Sequence, residues 1–307
     1  MDGTISGYLI HAVTREIATY SQLSLTRVGV LGESLTQADE RGHFAFPSLP
    51  AGEYSLGVYD NRYAPLYRKL SLQEGESIEN LEMALTPGAF LKGMILDGEG
   101  HPPQRSHVTL IREGIRRGKS GYISDSGDHR IAQDGSFSSP PLHPGRYFLR
   151  FAGILQKSPA STTSQAMHAD MQQRIFDFLY PNALDIKDAD YFDLQIGQTL
   201  SDLEIRIPRP IWHIVRGKII GTLPENPETV CVLFIRDVGM LDDFGSGGPH
   251  LKADGTFEGH AQAGRYRLLV WEMTPPQPDG RTTRIKEFTS LEIAVGDRDL
   301  EGVEIRI

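Results

Sequence analysis

The sequence predicts an all-β protein of three tandem antiparallel β-sandwiches of Greek-key type, with one short helix inserted in the second. Three observations carry this reading. A turn-and-hairpin phrase recurs: Gly42-His43-Phe44 with Gly52-Glu53-Tyr54-Ser55-Leu56, Asp134-Gly135-Ser136-Phe137 with Gly145-Arg146-Tyr147-Phe148-Leu149, and Asp254-Gly255-Thr256-Phe257 with Gly264-Arg265-Tyr266-Arg267-Leu268. Before each phrase stands an apolar-x-Gly-x-apolar opening, at Ile5 to Leu9, Leu91 to Ile95 and Val215 to Ile219. After each comes a Gly and an alternating strand, Gly75 before Leu81 to Leu85, Gly197 before Leu203 to Ile207, and Gly296 before Val303 to Ile307. A fixed order of landmarks at a long period marks repeated structural units. The first Gly of each phrase makes a tight turn, and Tyr-x-Leu then places alternate side chains on one face, so each phrase is a β-hairpin. The copies span residues 1–87, 88–209 and 210–307.

In the first copy, Phe44 and Phe46, then Tyr54, Leu56 and Val58, alternate as the buried faces of neighbouring strands. A polar and aromatic loop follows, from Tyr59 to Tyr67, and Thr86-Pro87-Gly88 punctuates the boundary. In the second copy Tyr147, Leu149 and Phe151 form an apolar face opposite the mixed face of Arg146, Phe148 and Arg150. A long insertion follows, with a helix expected within 160–180: Met167, Met171, Ile175 and Phe178 or Leu179 recur at spacings of three and four, Ser164 is the N-cap and Pro181 the stop. After the stiff linker Pro208-Arg209-Pro210, the third copy carries Val230-Cys231-Val232-Leu233-Phe234-Ile235, a continuous apolar run suited to a strand buried on both sides.

A chain of 307 residues divided in this way gives each copy enough length for a sandwich core. The formal charge of −9 argues against a nucleic-acid partner, and no run reaches the length of a transmembrane helix. The N-terminus lacks the charged and apolar pattern of a signal peptide, so the chain is read as cytosolic or as a mature or truncated piece, the latter preferred. The single cysteine, Cys231, sits in an apolar strand and reads as a small buried hydrophobe.

These landmarks resemble the carboxypeptidase regulatory-like domains, a branch of the transthyretin-like (prealbumin-like) β-sandwiches related to Cna-B repeats and carbohydrate-binding-like folds. The resemblance covers essentially the whole chain, and the tract Tyr180-Pro181 followed by Leu194-Gln195-Ile196-Gly197 is similar to multi-copy members in secreted bacterial proteins. It implies a non-catalytic module, because the regulatory domain is the part of those peptidases that does no chemistry. It further implies an interaction or carbohydrate-binding tandem and spacer that is secreted, periplasmic or at the cell surface, with a polysaccharide or protein partner and no cofactor. The alternative is an accessory fragment that positions the functional domain of a larger enzyme or outer-membrane transporter. Isopeptide bonds of related repeats would need an Asn on the last strand; beside Lys92 and Lys218 those strands offer Glu82, Glu204 and Glu304, so none is expected.

Other chemical motifs reduce to blander readings. Gly114 to Ser120 looks like a phosphate loop, but it is one residue short between its glycines and has no following helix, leaving a basic hairpin. Asp237, Asp242 and Asp243, and Asp125 with Asp128, lack the ordered spacing of a calcium loop. Among the ten histidines no zinc spacing occurs, and only His250 and His260 flank one hairpin, so no metal is expected. What remains is aromatic: Tyr59, Tyr63 and Tyr67 after the first hairpin, and Trp271, out of phase with the inward Tyr266, Leu268 and Val270. Exposed rings stack on sugars or anchor proteins, whereas the competing reading for each is packing.

Overall fold

The computed structural model describes residues 2–154, 175–241, 245–246, 248–249, 251–274 and 283–307. Its strands fall into three successive sets with one recurring plan. The first set has β1 (Gly3–His11), β2 (Gln22–Arg27), β3 (Ser34–Gln37), β4 (His43–Leu49), β5 (Gly52–Tyr59), β6 (Leu66–Leu72) and β7 (Ser77–Leu85). They form two sheets, ordered β4-β1-β7 and β3-β2-β5-β6. The second set has β8 (Phe90–Leu96), β9 (Gln104–Arg116), β10 (Lys119–Arg130), β11 (Ser136–Ser138), β12 (Gly145–Ile154), β13 (Ile175–Leu179), β14 (Tyr191–Leu194) and β15 (Thr199–Arg206). Its sheets are β11-β8-β15 and β10-β9-β12-β13, with β14 also pairing β12. The third set has β16 (His213–Ile220), β17 (Val230–Asp237), β18 (Gly245–Ser246), β19 (Thr256–Ala261), β20 (Gly264–Met273), β21 (Arg284–Val295) and β22 (Leu300–Arg306), ordered β19-β16-β22 and β18-β17-β20-β21.

Sequence landmarks account for this plan. Gly42, Gly135 and Gly255 all take positive φ, and their carbonyls accept from the amides of Leu9, Ile95 and Ile219 at 2.8, 2.8 and 3.0 Å. The glycine of each opening serves close approach. Beside it the closing strand bulges through Asn80 in the first set and Gly302 in the third; these and Asp202 in the second take positive φ, and a carbonyl presses inward. A Cβ at Gly7, Gly93 or Gly217 would collide with the carbonyl oxygen of Leu81, Leu203 or Val303. Pairing is mostly antiparallel, but β1 with β7 and β16 with β22 run parallel. A parallel first-to-last pair needs a crossover, which the intervening four-stranded sheet supplies.

The cores lie between the sheets. In the first set Ile5, Leu9, Phe44, Phe46 and Met83 from one sheet pack with Leu23, Tyr54, Leu56, Val58 and Leu72 from the other. In the third set Val215, Ile219, Phe257 and Ile305 meet Val232, Phe234, Tyr266, Leu268 and Val270. Tyr54, Tyr147 and Tyr266 are buried, and each phenol has a partner: Pro50 O at 2.6 Å, Asp125 Oδ2 at 3.4 Å and Gln262 O at 3.0 Å. Cys231 is buried as a small hydrophobe, and burial pushes its thiol up to about 11.

The chain divides into two compact units, Met1–Gly93 with Ser138–Arg146 and Asp193–Leu203, and Met94–Phe137 with Tyr147–Phe192 and Glu204–Ile307. The expected helix needs correction. Residues 155–174 lie outside the described residues, and Ile175–Leu179, assigned above to the helix's last turns, is strand β13 paired with β12. Two periods competed in Ile175-Phe176-Asp177-Phe178-Leu179, and alternation won. Phe176 and Phe178 pack with tilted rings against Phe151, centroids 6.4 and 5.9 Å away, while Asp177 on the other face meets Arg150 at 2.8 Å. Buried aromatic pairs across a ladder outweigh the weak intrinsic preference of five residues for helix. Among the described residues the helical pieces are two short 3-10 turns, Ile186–Asp188 and Pro227–Thr229.

Candidate functional site

Because Tyr54, Leu56 and Val58 point into the first core, alternation turns Ser55, Gly57 and Tyr59 outward on β5. Gly57 lies opposite Ser24 of β2 and Tyr67 of β6, and Ser24 lies opposite Leu35 of β3. One row across the outer face therefore reads Leu35, Ser24, Gly57, Tyr67. The adjoining row reads Gln37, Gln22, Tyr59. Gly57 leaves a gap that the two rings cover: a Cβ there would stand 3.2 Å from ring atoms of both Tyr59 and Tyr67. An aromatic ring laid over a cross-strand glycine is a known way to stabilise such a position.

The two rings meet edge to face, with centroids 5.9 Å apart and planes at 80°. They remain 45% and 60% exposed, and Leu35 across the shallow floor is 73% exposed. The neighbouring Tyr59 hydroxyl, aided by desolvation, pushes the Tyr67 phenol up to about 12, so that phenol stays a protonated donor at neutral pH. The result is a corner of two ring surfaces bordered by the amides of Gln22 and Gln37. It can offer an apolar face to a ring-shaped ligand and hydrogen bonds to that ligand's hydroxyl groups.

Tyr63 does not join this pair. It packs against the first core, with its ring edge to His11 at 5.9 Å and the Arg62 guanidinium over it at 5.3 Å. The loop that carries it is tied down by Asp60, which accepts from Ser21 at 2.6 Å and from Arg62 at 2.7 Å. Burial alone would raise the Asp60 carboxyl, but those hydrogen bonds outweigh it and hold the group below its usual range. Leu35, Ser24 and Gln37 escaped the sequence reading, since their membership depends on the register of β3 on β2. Asp60 had a legible signal, an Asx turn in Asp60-Asn61-Arg62.

Trp271 belongs to the other unit. It points to the outer face of its sheet opposite Cys231, is half-buried, and has the Arg284 guanidinium 5.2 Å over its ring. The same outer face carries a cavity of about 470 Å³ lined by Ile235, Asp237, Arg265, Arg267 and Glu292. Its charges are matched, Arg265 lying 3.1 Å from Asp237 and 3.8 Å from Asp185.

The outer face of β9, β12 and β13 is covered. Ile111, Phe148 and Leu179 pack with Ile186 and Val238 in a small apolar cluster. Beside it Arg150 grips Asp177 through two hydrogen bonds of 2.8 and 2.9 Å, and Arg236 donates to the Asp177 carbonyl at 2.9 Å and to that of Ala263 at 2.8 Å. Among the described residues no group of three or more His, Cys, Asp or Glu is placed to hold a metal. Asp125 is engaged by Arg112 and Tyr147, and His250, Asp242 and Asp243 lie outside the described residues. No described helix is long and apolar enough to cross a membrane.

No family model and no curated protein matches the chain. Among solved structures, the TIE protein of Bacillus anthracis aligns with 100% of this chain and 50% of its own, at 11% identity and a TM-score of 0.26. This chain thus spans half of that protein's length. BcpA, the major pilin subunit of Bacillus cereus, aligns over 100% of this chain and 99% of its own, at 11% identity and a TM-score of 0.26. The minor pilin of Streptococcus agalactiae covers 68% of this chain and 98% of its own, at 10% identity and a TM-score of 0.28. Likenesses at such scores carry no argument, and the all-β fold rests on the strand pairings themselves.

Proposed function

We propose that the chain is a non-catalytic tandem of three β-sandwiches that binds carbohydrate outside the cytoplasm, through the outer face of β3, β2, β5 and β6. The observation that carries this reading is the exposed Tyr59–Tyr67 corner over Gly57. A pyranose presents a C–H face that lies against an aromatic ring and equatorial hydroxyls that bond to amides and phenols, and this face supplies both surfaces. Two rings held by strand pairing lose little rotamer freedom on binding, which favours affinity from a small contact. Three copies with boundaries near residues 87 and 209 would then act as one binding sandwich and two that space or position it. Trp271 is retained as a secondary candidate, its face already occupied by Arg284. The competing reading is an accessory piece that positions a functional domain of a larger enzyme or transporter, in which case the tyrosine corner only caps a glycine.

A glycan and cell-wall-polymer array probed with the whole chain separates the two. Binding to at least one glycan, lost on Tyr67→Ala with the melting curve kept, supports the first reading. An array without signal would leave the corner a structural cap.

A further inference from the structure

Beside the tyrosine corner stands a residue whose backbone is strained and whose ring packs on nothing. Tyr20 takes a φ of 61°, in the left-handed region that a bulky side chain rarely adopts. It is 59% exposed, and among the described residues neither its ring nor its hydroxyl has a partner. Asn would take this backbone with less strain, because its short side chain tolerates the left-handed conformation. The tyrosine therefore gives the fold nothing that a smaller residue would not give better.

Strain of this kind persists only where the surroundings over-determine the backbone. The segment around Tyr20 meets that condition. The Arg62 guanidinium donates to the Thr19 carbonyl at 2.8 Å, the Gln37 amide to the Tyr20 carbonyl at 2.9 Å, and the Ser21 hydroxyl to Asp60 at 2.6 Å. The Tyr20 amide donates to the Ala38 carbonyl at 3.1 Å, and the Ala38 amide donates to the Ser21 carbonyl at 3.0 Å. The segment is thus held by the end of β3 and by the connection between β5 and β6, both of which flank the corner. Tyr20 stands two residues before Gln22, whose row contains Tyr59. One step of about 7 Å along the strands separates the Tyr67 row from the Tyr59 row, and a second leads to Tyr20. With two strand spacings between β6 and β2, the backbones of Tyr67 and Tyr20 lie roughly 16 Å apart.

We propose that Tyr20 is a further ligand-contact residue, which extends the corner into a site for a linear, neutral oligosaccharide rather than a single sugar. The proposal rests on the carbohydrate reading given above. An exposed ring on a backbone this firmly held loses little freedom when a sugar face lies on it. The span from Tyr67 to Tyr20 exceeds one pyranose, so a ligand that touches both rings is a chain of linked units. The two rows of the corner, Leu35, Ser24, Gly57 and Tyr67 with Gln37, Gln22 and Tyr59, carry no formal charge, which favours uncharged sugars over uronic acids.

Calorimetric titration of the whole chain with β-linked hexasaccharides of glucose, mannose, xylose and N-acetylglucosamine, and with the matching disaccharides, tests this. At least one hexasaccharide should bind more tightly than its disaccharide. Tyr20→Asn removes the ring and suits the left-handed backbone. It should therefore weaken that hexasaccharide by about ten-fold while melting no lower, a split that a packing tyrosine would not give. Tyr20→Phe, which keeps the ring, should bind more tightly than Tyr20→Asn. Hexasaccharide binding that is lost with Tyr67→Ala but unchanged in Tyr20→Asn would overturn the extension and leave the corner as the whole site. So would equal affinity for the two lengths, or a Tyr20→Asn chain that melts lower. A wild-type chain that binds none of these oligosaccharides would overturn this proposal together with the carbohydrate reading.

Discussion

The first and third strand sets share one plan, and the fate of one arginine separates them. Arg27 ends β2 and donates to the Ala51 carbonyl; Arg236, at the matching place on β17, donates to the Ala263 carbonyl. Both lie beside the Gly that opens the Gly-x-Tyr strand, Gly52 or Gly264. Arg27 stops there and stays half-exposed. Arg236 is buried and goes on to the backbone of Asp177, which in turn holds the buried Arg150. Equal topology therefore carries two different duties: Arg236 ties β17 to β13, whereas the bond from Arg27 stays within the first set, between β2 and the turn before β5. The outer faces differ in the same sense. The first four-stranded sheet shows tyrosines and glutamines, and the third shows matched charges around a cavity.

The largest effect that sharpens this contrast is expected at Asp177. Asp177→Ala leaves Arg150, whose side chain is 7% exposed, without its carboxylate, and removal of one partner of such a pair costs about 3–5 kcal/mol. Denaturant unfolding should register this in the second unit, while Arg27→Ala changes stability by about 1 kcal/mol or less. Similar losses for the two variants would erase the distinction.

Next come the close-approach glycines, where the sets should behave alike. Gly7→Ala and Gly217→Ala both drive a Cβ into the carbonyl of the facing bulge, and overpacking of this kind costs about 1–3 kcal/mol. A neutral result at either would show that the bulge yields freely. Smaller still, Tyr54→Phe and Tyr266→Phe should each lose about 1 kcal/mol, the net value of one hydrogen bond.

Alkaline pH probes the exposed corner. A free phenol titrates near about 10. Tyr67 in the folded chain titrates at about 12, so its contribution is complete below pH 10 and is lost as pH rises from 10 to 12. Burial pushes Tyr266 upward as well, with the same sign. Absorbance titration should show a late phenol that disappears in Tyr67→Phe.

How much of this was legible in the sequence follows from what each residue depends on. The turns at Gly42, Gly135 and Gly255 and the buried Tyr54, Tyr147 and Tyr266 depend on local φ preference and alternation, and both can be read along the chain. The stretch from Ile175 to Leu179 fits two periods at once, and its choice of strand came from Phe151 and Arg150, partners that sequence spacing does not reveal. For the same reason Tyr59 and Tyr67 could be named as exposed rings, but not their meeting over Gly57, which rests on the β5–β6 register. Tyr63, equally aromatic and on the connection between their two strands, was separated from them only by its contact with the first core.

The central claim is that the first sandwich's outer face is the binding face and that its counterpart in the third set is not. The most direct measurement is one glycan array probed in parallel with the wild-type chain, Tyr67→Ala and Trp271→Ala. The account predicts a glycan signal that Tyr67→Ala abolishes and Trp271→Ala leaves within about two-fold, with all three chains melting as folded proteins. A signal that survives Tyr67→Ala and vanishes with Trp271→Ala would place binding on the third set and contradict the account.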